Sequence, residues 1–276
     1  MCVMGKFNGK RVLITGAASG IGRIMGAMAL EKGAAALVIW DINQANIDAT
    51  VAEFKAKGSV FGYRVDISDQ QQVIAAAQKV KEEVGQIDIL INCAGIITGN
   101  KTFDNCTTEE IRRTMDINTV APMVVALQFL PDMIARNSGH ICNISSAGGL
   151  ISNPRMSVYA ASKWAVIGWS DSVRIELEQM KSDVKVTTIA PYYIKTGMFD
   201  GVKSPIVPLM KPEWAARQII RAIERNKRVK VVTKLIPFPY HFVRFMQGIM
   251  PTKVFDWFFG QVFGIYHSMD NFTGRR

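Results

Sequence analysis

The sequence predicts an α/β fold: a single doubly wound parallel sheet with helices on both faces, carrying a helical, aromatic-rich C-terminal extension. Three observations predict it. Short apolar runs alternate with helix-length amphipathic segments through most of the chain, the pattern of parallel strands joined by right-handed crossovers. A glycine-rich turn directly follows the first of those runs. The 276 residues are 49% hydrophobic and 20% charged, enough to bury one substantial core.

Taken in order, Arg11 to Thr15 reads as the first strand and Arg23 to Leu30 as part of the first helix. Ala36 to Trp40 and Val60 to Val65 follow as strands two and three. Gln70 to Val84 places Val73, Ala76, Ala77 and Val80 at helical spacing, which marks a crossover helix. Ile87 to Ile91, His140 to Ile144 and Val184 to Ile189 are strands four to six. Between the last two, Val158 to Met180 reads as a long helix. Lys211 to Glu224 is amphipathic, with Trp214, Ile219, Ile220 and Ile223 on its apolar side, and Val229 to Thr233 closes the sheet. In such a sheet ligands gather beyond the carboxyl ends of the strands, so functional residues are expected just after each strand.

Charge divides the chain unevenly. Of the net +10, residues 203–276 supply +9, holding 13 Lys and Arg against 4 Asp and Glu. We therefore expect a neutral core over residues 1–202, and a lid, last strand and basic extension of the same domain over residues 203–276. The extension, LIPFPYHFVRFMQGIMPTKVFDWFFGQVFGIY, spaces its basic residues sparsely among aromatics. That argues against nucleic acid. It suggests either packed helices or a peripheral membrane contact over Leu235 to Tyr266. Cys2, Cys93, Cys106 and Cys142 form no CxxC pair, and His140, His241 and His267 are scattered, so no metal site is expected. No uninterrupted apolar run reaches membrane-span length. A cytoplasmic protein, peripheral to membrane at most, is expected.

The turn after the first strand reads Thr15-Gly16-Ala17-Ala18-Ser19-Gly20-Ile21-Gly22. Glycine at 16, 20 and 22 permits a tight turn and close approach of backbone N–H groups to a pyrophosphate, with a helix N-terminus behind it. Asp41 ends the second strand about 20 residues on. A carboxylate there accepts bonds from both ribose hydroxyls and repels a 2′-phosphate, so NAD is expected over NADP. Asp41 could also cap the following helix. Arg23 lies past the glycines and is expected to be solvated.

Tyr159-Ala160-Ala161-Ser162-Lys163 sets a phenol and an ammonium at i and i+4, on one helix face. Ser146 stands 13 residues before the tyrosine, and Asn92-Cys93-Ala94-Gly95 follows the fourth strand. With TGAASGIG at 15–22, Asp66 in VDI, Asn118 in MDINT, the serine of NISS, YAASK at 159–163 and Pro191 to Thr196, the chain resembles the short-chain dehydrogenase/reductase family. It departs at Cys93, where the family has a second Asn, and at Tyr192, where it has Gly.

That resemblance implies a Rossmann fold and an oxidoreductase that interconverts an alcohol and its carbonyl. It implies Tyr159 as acid/base, with its pKa lowered from about 10 by Lys163 and the oxidised nicotinamide. Lys163 would also hold the nicotinamide ribose, Ser146 the reacting oxygen, and Asn118 a water linking Lys163 to solvent. Ser145 is the competing serine, with a strand-end hydrogen bond as its alternative role. The implied cofactor contacts are Gly16, Ser19, Gly20, Ile21, Asp41, Asp66, Asn92, Ala94, Gly95, Tyr159, Lys163, Ile194 and Thr196.

TGMF at 196–199, SMDNF at 268–272 and the aromatic extension resemble the branch containing retinol and 17-beta-hydroxysteroid dehydrogenases. This points to a lipophilic substrate. A 3-oxoacyl thioester reductase and a catalytically silent nucleotide-binding scaffold are the alternatives. The helix from Val158 to Met180 has little polar face before Arg174, so a homodimer or homotetramer packed across it is expected.

Overall fold

The computed structural model describes residues 6–274 apart from 99, 205, 234–238 and 263. Seven parallel strands form one sheet in the order β3-β2-β1-β4-β5-β6-β7. They are β1 (Arg11–Thr15), β2 (Ala36–Asp41), β3 (Val60–Arg64), β4 (Ile89–Asn92), β5 (His140–Ile144), β6 (Lys185–Pro191) and β7 (Val229–Val232). The order reverses between β1 and β4, which places a crevice beyond their carboxyl ends. The predicted strands β1 and β5 coincide with those observed. β4 begins two residues later than predicted, because the Asp88 carboxylate accepts from Arg11 N at 2.9 Å and the ladder starts at Val12 opposite Ile89.

Helices cover both faces. On one side lie α1 (Gly20–Glu31), α2 (Gln44–Phe54) and, later in the chain, α7 (Pro212–Glu224); on the other lie α3 (Gln70–Glu83), α4 (Thr108–Met115), α5 (Ala121–Ala135) and α6 (Ser157–Gln179). Successive residues of β1 alternate between the layers. Val12 and Ile14 join Met25, Ala29, Ile219 and Ile223, whereas Leu13 joins Val73, Val80, Val125 and Phe129. A strand apolar on both faces is what a doubly covered parallel strand requires. Each such buried side chain contributes about 1.5–3 kcal/mol.

Helix starts are set by local chemistry. The Asp69 side chain accepts from the backbone N–H of Gln71 and Gln72 at the start of α3, and Thr107 and Glu110 form a capping box at α4. Asn43, not Asp41, caps α2, accepting from Asn46 N at 3.0 Å. α1 begins at Gly20, three residues before the predicted Arg23, since the last glycines of the turn already belong to the helix.

One turn of π-helix (Asp116–Val120) joins α4 to α5. The continuous helix Thr108–Ala135 is long and apolar enough to cross a membrane by composition, and 44% of its most apolar window is buried inside the fold. Its packing against α3 and α6 accounts for that hydropathy.

The extension contains α8 (Pro239–Ile249), then α9 (Thr252–Asp256), which continues into a π-helical segment (Trp257–Val262) and a short turn (Ile265–His267). The stretch predicted to be interfacial begins at Leu235, outside the described residues. Within its described part some side chains pack inward and others face outward. Val243, Phe255, Phe259 and Ile265 pack on Leu150, Ile167 and Ala190. Phe245, Ile249 and Trp257 face outward, each about 60% exposed.

Candidate active site

At the crevice, a cavity of about 390 Å³ runs from the glycine-rich turn to the aromatic residues after β6. The turn is shaped by its glycines. Gly16 has φ +70°, and an added Cβ would come within 3.0 Å of Ala94; at Gly22 it would meet the Gly16 carbonyl at 2.2 Å. At Gly20, φ +57°, it would meet nothing within 4 Å. Gly20 thus borders open space at the N-terminus of α1, where no side chain caps the backbone and the first turn holds no acidic residue. That is an anion cradle.

Asp41 lines the same cavity, accepting from Ala18 N and Asn43 N, both at 3.1 Å. These bonds aim the carboxylate beside the turn. Asp66 also lines the cavity and accepts from the Ser68 N–H at 3.0 Å and the Ser68 hydroxyl at 2.6 Å. Arg23 stays at the surface and outside the cavity, as expected, pairing with Glu53 and lying 5.5 Å from the Phe54 ring centroid.

The predicted contacts Gly16, Ser19, Gly20, Ile21, Asp41, Asp66, Ala94, Gly95, Tyr159, Lys163, Ile194 and Thr196 all line the cavity, as does Ser146. Asn92 does not. Its side chain is buried inside the fold, donating to Asn143 Oδ1 at 2.8 Å and to the Pro122 carbonyl at 3.3 Å. Because Asn92 still belongs to β4, its amide is drawn into bonds with the neighbouring strand and helix; the residues after it turn into the crevice. The Thr15 hydroxyl holds that turn, accepting from Cys93 N and Ala94 N at 3.0 and 3.1 Å. Thr15 was not singled out from the sequence.

Asn118 sits in the π-helical turn behind the cavity. Its amide forms a two-way clamp on Ile96, accepting from N at 2.8 Å and donating to O at 2.9 Å, and also donates to the Ser162 hydroxyl at 3.1 Å. Both ends of the amide are thus used by protein atoms. Asn118 and Lys163 come together at Gly95, where an added Cβ would lie 3.1 Å from Asn118 Oδ1 and 3.4 Å from Lys163 Nζ.

Tyr159 and Lys163 share one face of α6, with Lys163 Nζ 5.7 Å from the Tyr159 ring centroid and donating to the Ile144 carbonyl at 3.0 Å. Ser145, the competing serine, donates to the Lys163 carbonyl at 2.8 Å and so fixes α6 against β5. Ser146 reaches the cavity instead, its hydroxyl accepting from Gly148 N at 3.1 Å.

Burial acts on the charged forms of both groups. It pushes the Tyr159 phenol up to about 12, with the Ser146 hydroxyl pulling the other way, and it brings the Lys163 ammonium down to about 8. The lowered Tyr159 expected from Lys163 together with the oxidised nicotinamide is therefore not a property of the chain by itself. Desolvation outweighs the hydrogen bond from Ser146. The Cys93 thiol, beside Lys163, is likewise raised to about 12 by burial.

At the far wall of the cavity the sequence singles out Tyr192 and Phe199 but not Met156 or Tyr193. Met156, Tyr192, Tyr193 and Phe199 line it, and Phe199 stands edge-on to Tyr159 with centroids 6.2 Å apart. Tyr192, at the departure from the family's Pro-Gly, hydrogen-bonds Ser204 at 2.8 Å.

Comparison with known proteins shows the family. Residues 10–206 match the family model described as short chain dehydrogenase. The chain is 38% identical over 274 residues to epidermal retinol dehydrogenase 2 of Mus musculus, covering 97% of this chain and 86% of that one. It is 33% identical over 275 residues to retinol dehydrogenase 10 of Homo sapiens, covering 88% and 79%. A solved structure described as the crystal structure of gox2181 superposes with a TM-score of 0.74 at 24% identity, over 81% of this chain and 93% of that one, and shares the fold. Glycine turn, Ser146, Tyr159 and Lys163 in one crevice, on a chain so matched, make it a member of the short-chain dehydrogenase/reductase family, an alcohol-oxidising or carbonyl-reducing enzyme that resembles the retinol dehydrogenase branch.

Proposed function

We propose that the protein uses NAD(H) to interconvert a lipophilic alcohol and its ketone or aldehyde, with Tyr159 as the acid/base. One observation carries the reading. Tyr159, Ser146 and Lys163 converge in a cavity that is continuous with the Asp41-flanked turn at one end and walled by Met156, Tyr193 and Phe199 at the other. The names of the relatives, which specify retinol, support the lipophilic class.

The glycine-rich turn would hold the pyrophosphate, Asp41 the adenosine ribose, and Lys163 the nicotinamide ribose. Bound NAD supplies the hydride acceptor and a positive charge beside the phenol. In oxidation the Tyr159 oxygen takes the proton of the substrate hydroxyl, while the Ser146 hydroxyl donates to the same substrate oxygen. Lys163 stabilises the phenolate at the start of that transfer. In reduction the phenol returns the proton to the carbonyl oxygen. The apolar wall excludes water and leaves the reacting hydroxyl as the polar group that the site serves.

Two surfaces bear on where this happens. We take the outward face of α5 and α6, with Leu127 64%, Ile175 46% and Trp164 38% exposed, as the contact of a homodimer or homotetramer. We take the outward aromatics of α8 and the helix after it as a peripheral contact with a lipid surface, for a protein otherwise cytoplasmic.

The test is a turnover panel of retinoids, steroids, fatty alcohols and 3-oxoacyl thioesters, each with NAD(H) and NADP(H). Turnover of a lipophilic alcohol with NAD⁺ is expected. Turnover confined to acyl thioesters with NADPH would replace the reading by a thioester reductase, and binding of NADH with no turnover at all would leave a nucleotide-binding scaffold.

A further inference from the structure

The substrate end of the cavity is closed by a segment to which the chemistry assigns no role, residues 268–274. Ser268 and Met269 are fully buried. The Ser268 hydroxyl lies 3.0 Å from the Tyr193 hydroxyl, which in turn lies 2.9 Å from the Asn153 amide. Lys203 N donates to the Ser268 carbonyl at 3.1 Å, and the Asn100 amide donates to the Met269 carbonyl at 2.6 Å. Thr273 N and Gly274 N both donate to the Asp200 carbonyl, at 2.9 and 3.3 Å, and Arg155 pairs with Asp270 at 3.3 Å.

Four stretches distant in sequence are thus tied to one. Gly201 shows how closely they fit. Its φ is +81°, and an added Cβ would come within 1.9 Å of the Asn271 carbonyl oxygen. None of these bonds builds the sheet or the phosphate turn. All of them hold the stretches around the substrate end, and Met269 packs in the same cluster as Tyr159, Tyr193 and Phe199.

Tyr193 is the point at which this bracing reaches the cavity. Its ring lies between Tyr192 and Phe199, with centroids 4.7 and 5.1 Å away. Its hydroxyl is engaged by Ser268 and Asn153, so it offers ring carbon to the cavity it lines.

We infer that residues 268–274 are a latch that fixes the substrate loop, and that Tyr193, held by Ser268, is a specificity-determining wall favouring an apolar group beside the reacting carbon. The specificity half rests on the alcohol-to-carbonyl reading of this site; the latch half does not.

The experiment compares Ser268→Ala, Tyr193→Phe and the double variant with the parent protein. Hydrogen exchange of the backbone over 193–203 should quicken about five- to tenfold in each single variant, as the buried Tyr193–Ser268 hydrogen bond is lost in both. The double variant should fall short of the product of the two single effects, because both changes remove the Tyr193–Ser268 bond. NADH affinity should stay within about twofold. With all-trans-retinol as probe, KM should rise about five- to tenfold while kcat changes less than about twofold. Exchange over 193–203 unchanged in Ser268→Ala overturns the latch, whatever the substrate. Loss of NADH affinity together with kcat overturns it too, marking a general loss of fold. Quickened exchange in a protein that turns over no lipophilic alcohol would uphold the latch and remove the specificity claim together with the reading beneath it.

Discussion

Single residues decide the cofactor and the chemistry, and they differ in how much of their role the sequence discloses. The place of Asp41 beside the turn was legible, because it ends the second strand about 20 residues after the glycine-rich turn. Its contacts add that it also holds the turn, through Ala18 N. NADH should therefore bind more than about tenfold tighter than NADPH, given a unit charge facing the 2′-phosphate. Asp41→Ala should narrow the gap and also weaken NADH. Equal affinities in the parent protein, measured by fluorescence titration, would place the carboxylate away from the ribose. The burial that raises Tyr159 was not legible, since it depends on Phe199 and Met269, 40 and more residues away. Nor was the pairing of Tyr193 with Ser268, 75 residues apart.

At the scale of elements, local patterning sufficed where one strand or helix stands on its own residues. β1 and β5 follow from short continuous apolar runs, as doubly covered strands require, and α6 was placed within one residue at each end. Where an element is shaped by a partner, sequence reading fell short. The π-helical turn at Asp116–Val120 is such a case, its Asn118 being clamped on Ile96 after β4.

The join between β5 and β6 yields a prediction. His140 is buried between them, hydrogen-bonded to the Thr187 hydroxyl at 2.8 Å, and burial lowers it to about 4. Because the unfolded chain takes up this proton near pH 6.5 and the fold resists it, the His140 contribution is complete above about pH 6.5 and is lost as pH falls toward 4. The loss approaches about 3 kcal/mol. His140→Gln, which keeps a hydrogen-bonding side chain without the titration, should flatten this part of the acid limb in urea unfolding. An acid limb identical to the parent's would contradict the assignment.

Across the whole molecule, the sheet positions two halves of one cavity and the basic extension covers its substrate end. The charge changes near residue 203, yet the extension shares a core with Leu150, Ile167 and Ala190 and does not stand apart. If the outward Phe245, Ile249 and Trp257 meet lipid, the protein should co-sediment with anionic liposomes, less so as salt rises. Changing these three to Ser should abolish binding and leave turnover of short soluble alcohols intact. A protein that ignores liposomes at low salt would assign that face to another contact.

The central claim, that this cavity oxidises a lipophilic alcohol through Tyr159, is tested most directly by the kcat of Tyr159→Phe on the best alcohol of the panel with NAD⁺. A fall of about 10²- to 10⁴-fold is expected, with NADH affinity unchanged. A variant that keeps more than about a tenth of the parent kcat would contradict it, since a proton donor and acceptor on the reaction path contributes far more than that.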